Sequence, residues 1–126
     1  MAEQQEFEVI FYQSSDNITP PALEFIESCN LKMQAKIFSL LEILQEKGNH
    51  LREPYSKPLA DGLFELRIKQ GSDISRMLYF FFVGKKIVIT HGFIKKSQKT
   101  PKAEIERAKK YRKDFLERRK SDGGNT

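Results

Sequence analysis

Basic side chains cluster where the last apolar run of the sequence gives way to a helical pattern. Lys95, Lys96 and Lys99 follow the run KIVITHGFI within five residues. Like charges repel one another, so this cluster suggests an anionic ligand, although most lysine-rich turns are simply solvated. Arginine binds phosphate oxygens through paired, charge-assisted hydrogen bonds, and lysine supplies a mobile point charge. Phosphate is therefore the first candidate ligand.

Two arginines on neighbouring predicted strands can join these lysines. In LFELRIKQ, apolar residues alternate with Glu65, Arg67 and a lysine, which predicts one core face and one wet face. Arg76 lies near the start of ISRMLYFFFV, and the next strand runs antiparallel to it and ends at the lysines. The start of one strand lies beside the end of such a neighbour, so these cations should meet at one sheet edge. The predicted catalytic residues are Arg67, Arg76, Lys95, Lys96 and Lys99.

This set of cations suits cleavage of RNA without a metal ion. Each cation disfavours the charged form of its neighbours, so crowding lowers lysine pKa values toward those of a general acid or base. Arginine stays charged and can stabilise a pentacovalent phosphorane. RNA supplies its own nucleophile, the 2′-hydroxyl, and the sequence offers no acidic cluster or histidine pair, so no metal or other cofactor is expected. Further RNA contacts are assigned to Lys69, Lys102 and His91, although a histidine on an apolar strand is more often packed in a core.

The charge of the chain is unevenly distributed. The net charge is +5, whereas residues 85–120 hold 14 Lys or Arg against Glu104, Glu106, Asp114 and Glu117, a local balance of +10. Such polarity within one domain favours a polyanionic partner, and it also suits an acidic protein partner.

Composition excludes several other classes of protein. The longest uncharged apolar runs are eight or nine residues, whereas a bilayer span takes about 20. The first residues, MAEQQEFEVIF, are acidic and lack the pattern of a secretory signal. The single Cys29 excludes an intrachain disulfide and a cysteine metal cluster. We therefore expect a cytoplasmic protein with no membrane partner.

The elements that position the cations form one predicted domain at residues 1–120, followed by a disordered tail at 121–126. Strands are predicted at 7–12, 63–70, 74–83 and 86–94, a helical hairpin at 20–48 and a final helix at 101–119. Thr19 and Asn30 are the expected N-caps of the hairpin helices, and Gly48 is the expected stop signal.

The predicted fold class is α+β, with a small antiparallel or mixed four-stranded sheet in the order β-α-α-β-β-β-α. Residues 50–60 are predicted to form a loop, because Pro54 and Pro58 interrupt them. The helices are expected to cover one face of the sheet and to leave the other face partly open.

Three stretches of the sequence, KPLADGLFELRI, SRMLYFF and HGFIKKSQKTPKAEIERA, carry a resemblance to a known family. Over residues 7–116 the chain resembles the HigB-like, phage-derived-protein-like branch of the RelE/ParE toxin superfamily. The resemblance implies a small ribonuclease fold and the toxin half of a type II toxin–antitoxin pair. Such toxins cut messenger RNA, usually on the ribosome. An antitoxin with a helix-turn-helix domain inhibits them, and any contact with DNA is made through that antitoxin.

Individual residues also match the family pattern. Arg67 matches a basic residue on the second strand, Arg76 matches the arginine that opens the third, and Lys96 matches a basic residue just past the last strand. Some relatives place a proton-donating tyrosine early in the last helix, where this chain has Lys102-Ala103-Glu104. The identity of the general acid and base therefore stays open, with a lysine or His91 as the alternatives.

Two other functions also fit the resemblance. The superfamily includes gyrase poisons with the same fold, and a non-catalytic RNA- or protein-binding module is possible on any fold. For the antitoxin we expect contact with the hairpin at 20–48 together with part of the sheet. The hairpin is acidic at Glu24, Glu27, Glu42 and Glu46 and is predicted to lie away from the phosphate-binding edge.

Overall fold

The computed structural model describes residues 6–16, 19–94 and 99–123 of the chain, with side chains as far as Lys120. Its strands and helices follow the predicted order, with one additional strand. They are β1 (Glu8–Phe11), α1 (Pro21–Ser28), α2 (Leu31–Lys47), a 3₁₀ turn (Gly48–His50), β2 (Ser56–Pro58), β3 (Phe64–Gln70), β4 (Asp73–Phe82), β5 (Lys86–Ile94) and α3 (Lys102–Gly123).

The strands of the described residues form one mixed sheet in the order β1-β5-β4-β3-β2. Strand β1 pairs with β5 in parallel, and the other neighbours are antiparallel. The α+β class and the mixed sheet are confirmed, but the predicted count of four strands is wrong. The fifth strand, β2, lies within the predicted loop at 50–60. It is three residues long and ends at Pro58, and an edge strand tolerates proline because one side makes no ladder hydrogen bonds.

The ends of α2 are set by the residues that the sequence pointed to. Asn30 Oδ1 accepts a hydrogen bond from the Met33 backbone N–H at 2.8 Å, and Gly48 ends the helix with φ +52°. The start of α1 is different, because Pro20 is its N-cap and makes no side-chain hydrogen bond. The expected Thr19 cap is therefore wrong.

Helices cover both faces of the sheet. On one side, here called the hairpin face, α1 and α2 pack on Leu66, Met77, Tyr79 and Ile89. On the other side, the α3 face, Ala108 and Phe115 of α3 pack on Leu78, Phe80 and Val88. The expectation that helices cover only one face is wrong, since β4 is apolar on both sides and such a strand needs cover on both. The helix α3 continues to Gly123, past the predicted end at 119, and residues 124–126 of the predicted tail lie outside the described residues.

A β-bulge at Thr90 determines which side chains of β5 face α3. Leu78 pairs with His91 and the next residue, Tyr79, pairs with Ile89, so Thr90 is the extra residue of β5. The bulge shifts the alternation by one residue. As a consequence, Phe93 packs in the core of the α3 face. On the opposite side of β5, a Cβ added to Gly92 would lie 2.4 Å from the Phe25 ring of α1.

Candidate nucleic-acid interface

The strand register brings the predicted strand cations together on the α3 face. Arg67 of β3 lies directly opposite Arg76 of β4, and Arg76 lies opposite Phe93 of β5. Paired residues of antiparallel strands have Cα atoms about 4.5–5.5 Å apart, so these three form one row across the sheet. Ile94, the last residue of β5, follows Phe93 and leads into the lysine cluster. The expected meeting of the start of β4 with the end of β5 is therefore confirmed.

One lysine of the cluster, Lys99, lies within the described residues. Lys95 and Lys96 lie outside the described residues. Lys99 is exposed and directly precedes Thr100, which is buried. Lys102, one of the predicted RNA contacts, is the exposed first residue of α3. Lys69, another predicted RNA contact, is exposed near the end of β3.

Arg76 is buried rather than open to a ligand. Only 2% of the residue is exposed, and its Nη1 donates to Oε2 of Glu65, whose side chain is fully buried. Burial lowers the pKa of the Arg76 guanidinium, while the Glu65 carboxylate opposes that shift. The Nε of Arg76 is buried without a hydrogen-bond partner among the described residues. The prediction of a wet face on β3 is thus wrong at Glu65, which neutralises a buried arginine.

Glu65 also binds the start of α3. The Thr100 hydroxyl donates to Oε1 of Glu65, so one carboxylate contacts β4 through one oxygen and the approach to α3 through the other. The predicted start of the last helix at 101 is confirmed to within a residue, since α3 begins at Lys102.

His91 lies one row below Arg76 and is also buried. Its Nε2 donates to Oε1 of Glu104 on α3 at 2.9 Å, and its Nδ1 lies 3.0 Å from Oγ1 of Thr90. Burial lowers the pKa of His91, and the hydrogen bond to Glu104 only partly offsets this effect. Arg107 lies 3.8 Å from the same Glu104 oxygen. With 1% exposure and both ring nitrogens in contact, His91 fixes α3 to the sheet and presents no open edge to RNA in this structure.

A tyrosine of α3 packs beside His91, later in the helix than the family pattern places one. The ring of Tyr111 meets the His91 ring edge-on, with centroids 5.7 Å apart, and stacks on Tyr12 at 4.7 Å. Burial together with Asp114 raises the pKa of Tyr12 to about 12. These aromatic contacts fix the middle of α3, so they extend the attachment that Glu65 and Glu104 make at its start.

The hairpin borders the cationic row. A groove of about 930 Å³ runs between α2 and β3, and its lining includes Lys36 and Lys47 of α2 together with Arg67 and Lys69 of β3. The apolar part of the lining includes Leu40, Ile43, Leu51, Tyr55 and Ile68. The expectation that the hairpin lies away from the cations is wrong for this flank of α2, because α2 packs along β3.

Several cations of the basic half are paired within the domain. The Lys109 ammonium lies 2.7 Å from the Asp61 carboxylate, which raises the pKa of Lys109 and lowers that of Asp61. Arg112 donates to the backbone carbonyl of Asp61 at 2.5 Å, and Arg118 pairs with Asp114 at 3.2 Å. The local charge of +10 therefore overstates the number of cations that can bind RNA.

Three partners of the predicted site residues were not predicted from the sequence, namely Glu65, Thr100 and Glu104. The available signal was a single acid, Glu65, on the otherwise basic face of β3, two residues before Arg67. Among residues 6–16, 19–94 and 99–123, no three His, Cys, Asp or Glu side chains come together as a possible metal site. Within the same ranges, no helix is long and apolar enough to cross a membrane.

Comparison with known protein families agrees with the resemblance of the sequence. Residues 24–113 match the family described as Phage derived protein Gp49-like (DUF891). The matched region begins in α1, ends in α3 and contains Arg67, Arg76 and the lysine cluster. A search of curated proteins returns no match. Because the match covers well over half of the chain, the protein belongs to the Gp49-like family of phage-derived proteins, a family associated with the toxins of toxin–antitoxin systems.

Proposed function

We propose that the protein is a HigB-like toxin that cleaves messenger RNA on the ribosome without a metal ion. The observation that carries this proposal is the row of Arg67, Arg76 and the end of β5, from which the lysine cluster leaves. In a family associated with toxins, a set of cations on a rigid sheet provides phosphate binding and charge stabilisation at one place.

The proposed reaction is transesterification within the RNA chain. The 2′-oxygen attacks the adjacent phosphorus, the bond from phosphorus to the 5′-oxygen breaks, and a 2′,3′-cyclic phosphate and a 5′-hydroxyl result. One proton leaves the 2′-hydroxyl and one is given to the 5′-oxygen. We assign the proton transfers to the cluster of Lys95, Lys96 and Lys99, because His91 is buried against Glu104.

The arginines have different roles in this proposal. Arg67 is only partly buried and contacts the phosphate, where its fixed charge stabilises the phosphorane. Arg76 lies directly opposite Arg67 on the neighbouring strand. Its role is indirect, because its own guanidinium is paired with Glu65. Lys69 and Lys102 are exposed, and we assign to them the binding of flanking phosphates of the RNA.

A cleavage assay with the purified protein tests the proposal. Messenger RNA is incubated with the protein alone and with translating ribosomes, and the cut ends are mapped. We expect cuts that require ribosomes and that carry a cyclic phosphate. Intact RNA together with trapped gyrase–DNA complexes would show a gyrase poison instead.

The pairing of Arg76 with Glu65 makes a non-catalytic module the second candidate. A neutralised arginine lowers the positive charge available for catalysis, whereas binding can rely on the exposed cations alone. RNA that is bound but stays intact, with or without ribosomes, would support this alternative.

The proposed partner is an antitoxin with a helix-turn-helix domain. Expression of the chain alone should arrest growth and degrade messages, and expression of the adjacent small gene should restore growth. Growth arrest that persists when that gene is expressed, or no arrest at all, would contradict the proposed pair.

A further inference from the structure

Glu65 lies on the α3 face beside the row of cations. Its side chain is fully buried, on the row directly below that of Arg67 and Arg76. Removing a carboxylate from water is unfavourable unless charges and hydrogen bonds replace the lost hydration. Here the replacements include the Arg76 guanidinium and the Thr100 hydroxyl. The buried Glu65 carboxylate is therefore stabilised by the groups that it holds in place, Arg76 and Thr100.

The two contacts of Glu65 lead to the two parts of the cationic site. Arg76 lies on β4 directly opposite Arg67, so its placement affects the strand arginines. Thr100 directly follows Lys99 and lies two residues before Lys102, so its placement affects the lysines that lead into α3. A single side chain thus joins groups that come from the sheet and from the connection between β5 and α3.

A second contact supports the same part of the helix. Glu104 of α3 binds His91 of β5, one helical turn after Thr100. The start of α3 is therefore held over β3 by Thr100 and over β5 by Glu104. Two attachments on different strands determine both the position and the direction of this turn.

We propose that Glu65 is the positioning residue of the cationic site, holding Arg76 on β4 and the start of α3 in one arrangement. This inference rests on the proposed function and extends it to a residue that does not touch RNA. Glu65 has the chemistry that this task needs, because a carboxylate accepts hydrogen bonds through both oxygens. A glutamine in the same place can face the guanidinium with its oxygen and the Thr100 hydroxyl with its NH₂ group, but it loses the negative charge that pairs with Arg76.

The variants Thr100→Val and Thr100→Ser test the proposal without a change in charge. Valine fills nearly the same volume but cannot donate to Glu65, whereas serine keeps the hydroxyl. Glu65→Gln is the companion variant, and Glu106→Gln is its control, since Glu106 is an exposed acid of α3 that also loses one negative charge. RNA cleavage under single-turnover conditions, RNA binding and amide hydrogen exchange of residues 99–105 are measured for each variant.

Thr100→Val should lower the single-turnover rate about tenfold, the effect of one hydrogen bond to a charged group, and Thr100→Ser should stay within about threefold of the parent. RNA affinity should change less than about threefold, because no charge is removed. Amide exchange in residues 99–105 should become faster in Thr100→Val and stay unchanged in Glu106→Gln.

The outcomes separate this proposal from the proposed function. Thr100→Val with parental cleavage and parental exchange would overturn the positioning role, even if the parent cuts RNA well. A parent that cuts no RNA would contradict the ribonuclease, and faster exchange in Thr100→Val would still support the positioning role. Tighter RNA binding by Glu65→Gln with an unchanged rate would show that Glu65 acts only through its charge.

Discussion

The two faces of the sheet are both covered by helices but are built differently. The core of the hairpin face is formed mainly by apolar side chains such as Ile37, Leu44 and Met77, and its buried polar residues include the uncharged Ser56 and Ser75. The α3 face has an apolar core at Phe80 and Phe115, but its other end contains buried charged and polar groups. These groups are Glu65, Arg76, His91 and Thr100. Buried charges stabilise a fold less well than apolar packing, so their confinement to one face among the described residues supports the proposal that this face holds the functional site.

The largest expected effect is a loss of stability when one partner of the buried ion pair on the α3 face is removed. Arg76→Ala leaves the Glu65 carboxylate buried without its guanidinium, which should lower the free energy of unfolding by about 3–5 kcal/mol. Leu44→Ala on the hairpin face should cost a similar amount, about 2–5 kcal/mol, by leaving a cavity. Denaturant unfolding measures both variants.

The double variant Glu65→Leu with Arg76→Met gives the α3 face an apolar pair like those of the hairpin face. Replacing a buried pair by apolar residues is often neutral or stabilising, so this variant should unfold at or above the denaturant concentration of the parent. The double variant should nevertheless cut RNA much more slowly than the parent. Full activity in the double variant would show that the buried pair has no role in the site.

Salt should weaken the binding of RNA strongly. RNA contacts are proposed for six cations, and six contacts to single-stranded RNA give a log–log slope of roughly −4, or about 250-fold weaker binding from 0.1 to 0.4 M salt. The six are Arg67, Lys69, Lys95, Lys96, Lys99 and Lys102. The paired cations of α3 should add little, so Lys109→Ala should leave the slope unchanged. A slope near zero would show that RNA is not the ligand of this surface.

A smaller effect is expected on the hairpin face, where backbone packing is close. Gly92→Ala would place a methyl group 2.4 Å from the Phe25 ring and should lower the free energy of unfolding by about 1–3 kcal/mol. The rate of RNA cleavage should change little below the unfolding range. A stability equal to that of the parent would mean that α1 moves away from β5 without cost.

The smallest expected effect depends on pH. Burial lowers the pKa of His91 in the folded protein, so the unfolded chain binds more protons when the pH falls below about 6.5. The free energy of unfolding should therefore fall in that range, by at most about 1.4 kcal/mol per pH unit for this group. His91→Gln should remove this contribution. Equal pH dependence in the two proteins would show that His91 keeps an ordinary pKa.

The positions of the strands could be predicted from the sequence, whereas the burial and the contacts of their polar side chains could not. Alternation in β3 and the apolar run of β4 were sufficient to predict that Arg67 and Arg76 come together, although not that they lie directly opposite each other. Alternation could not reveal that Glu65 is buried, because α3 covers that side from a distant part of the chain. The bulge at Thr90 also leaves no trace in a pattern of apolar residues, although it determines the direction of His91.

Single-turnover cleavage of ribosome-bound messenger RNA by Arg67→Ala and Lys110→Ala tests the central claim most directly. Each variant loses one cation, and Lys110 is an exposed residue of α3 outside the row. Arg67→Ala should cut at least about a hundredfold more slowly, as expected when a group that stabilises the transition state is removed, and Lys110→Ala should stay within about threefold of the parent. Equal rates for the two variants would contradict a catalytic site on the α3 face.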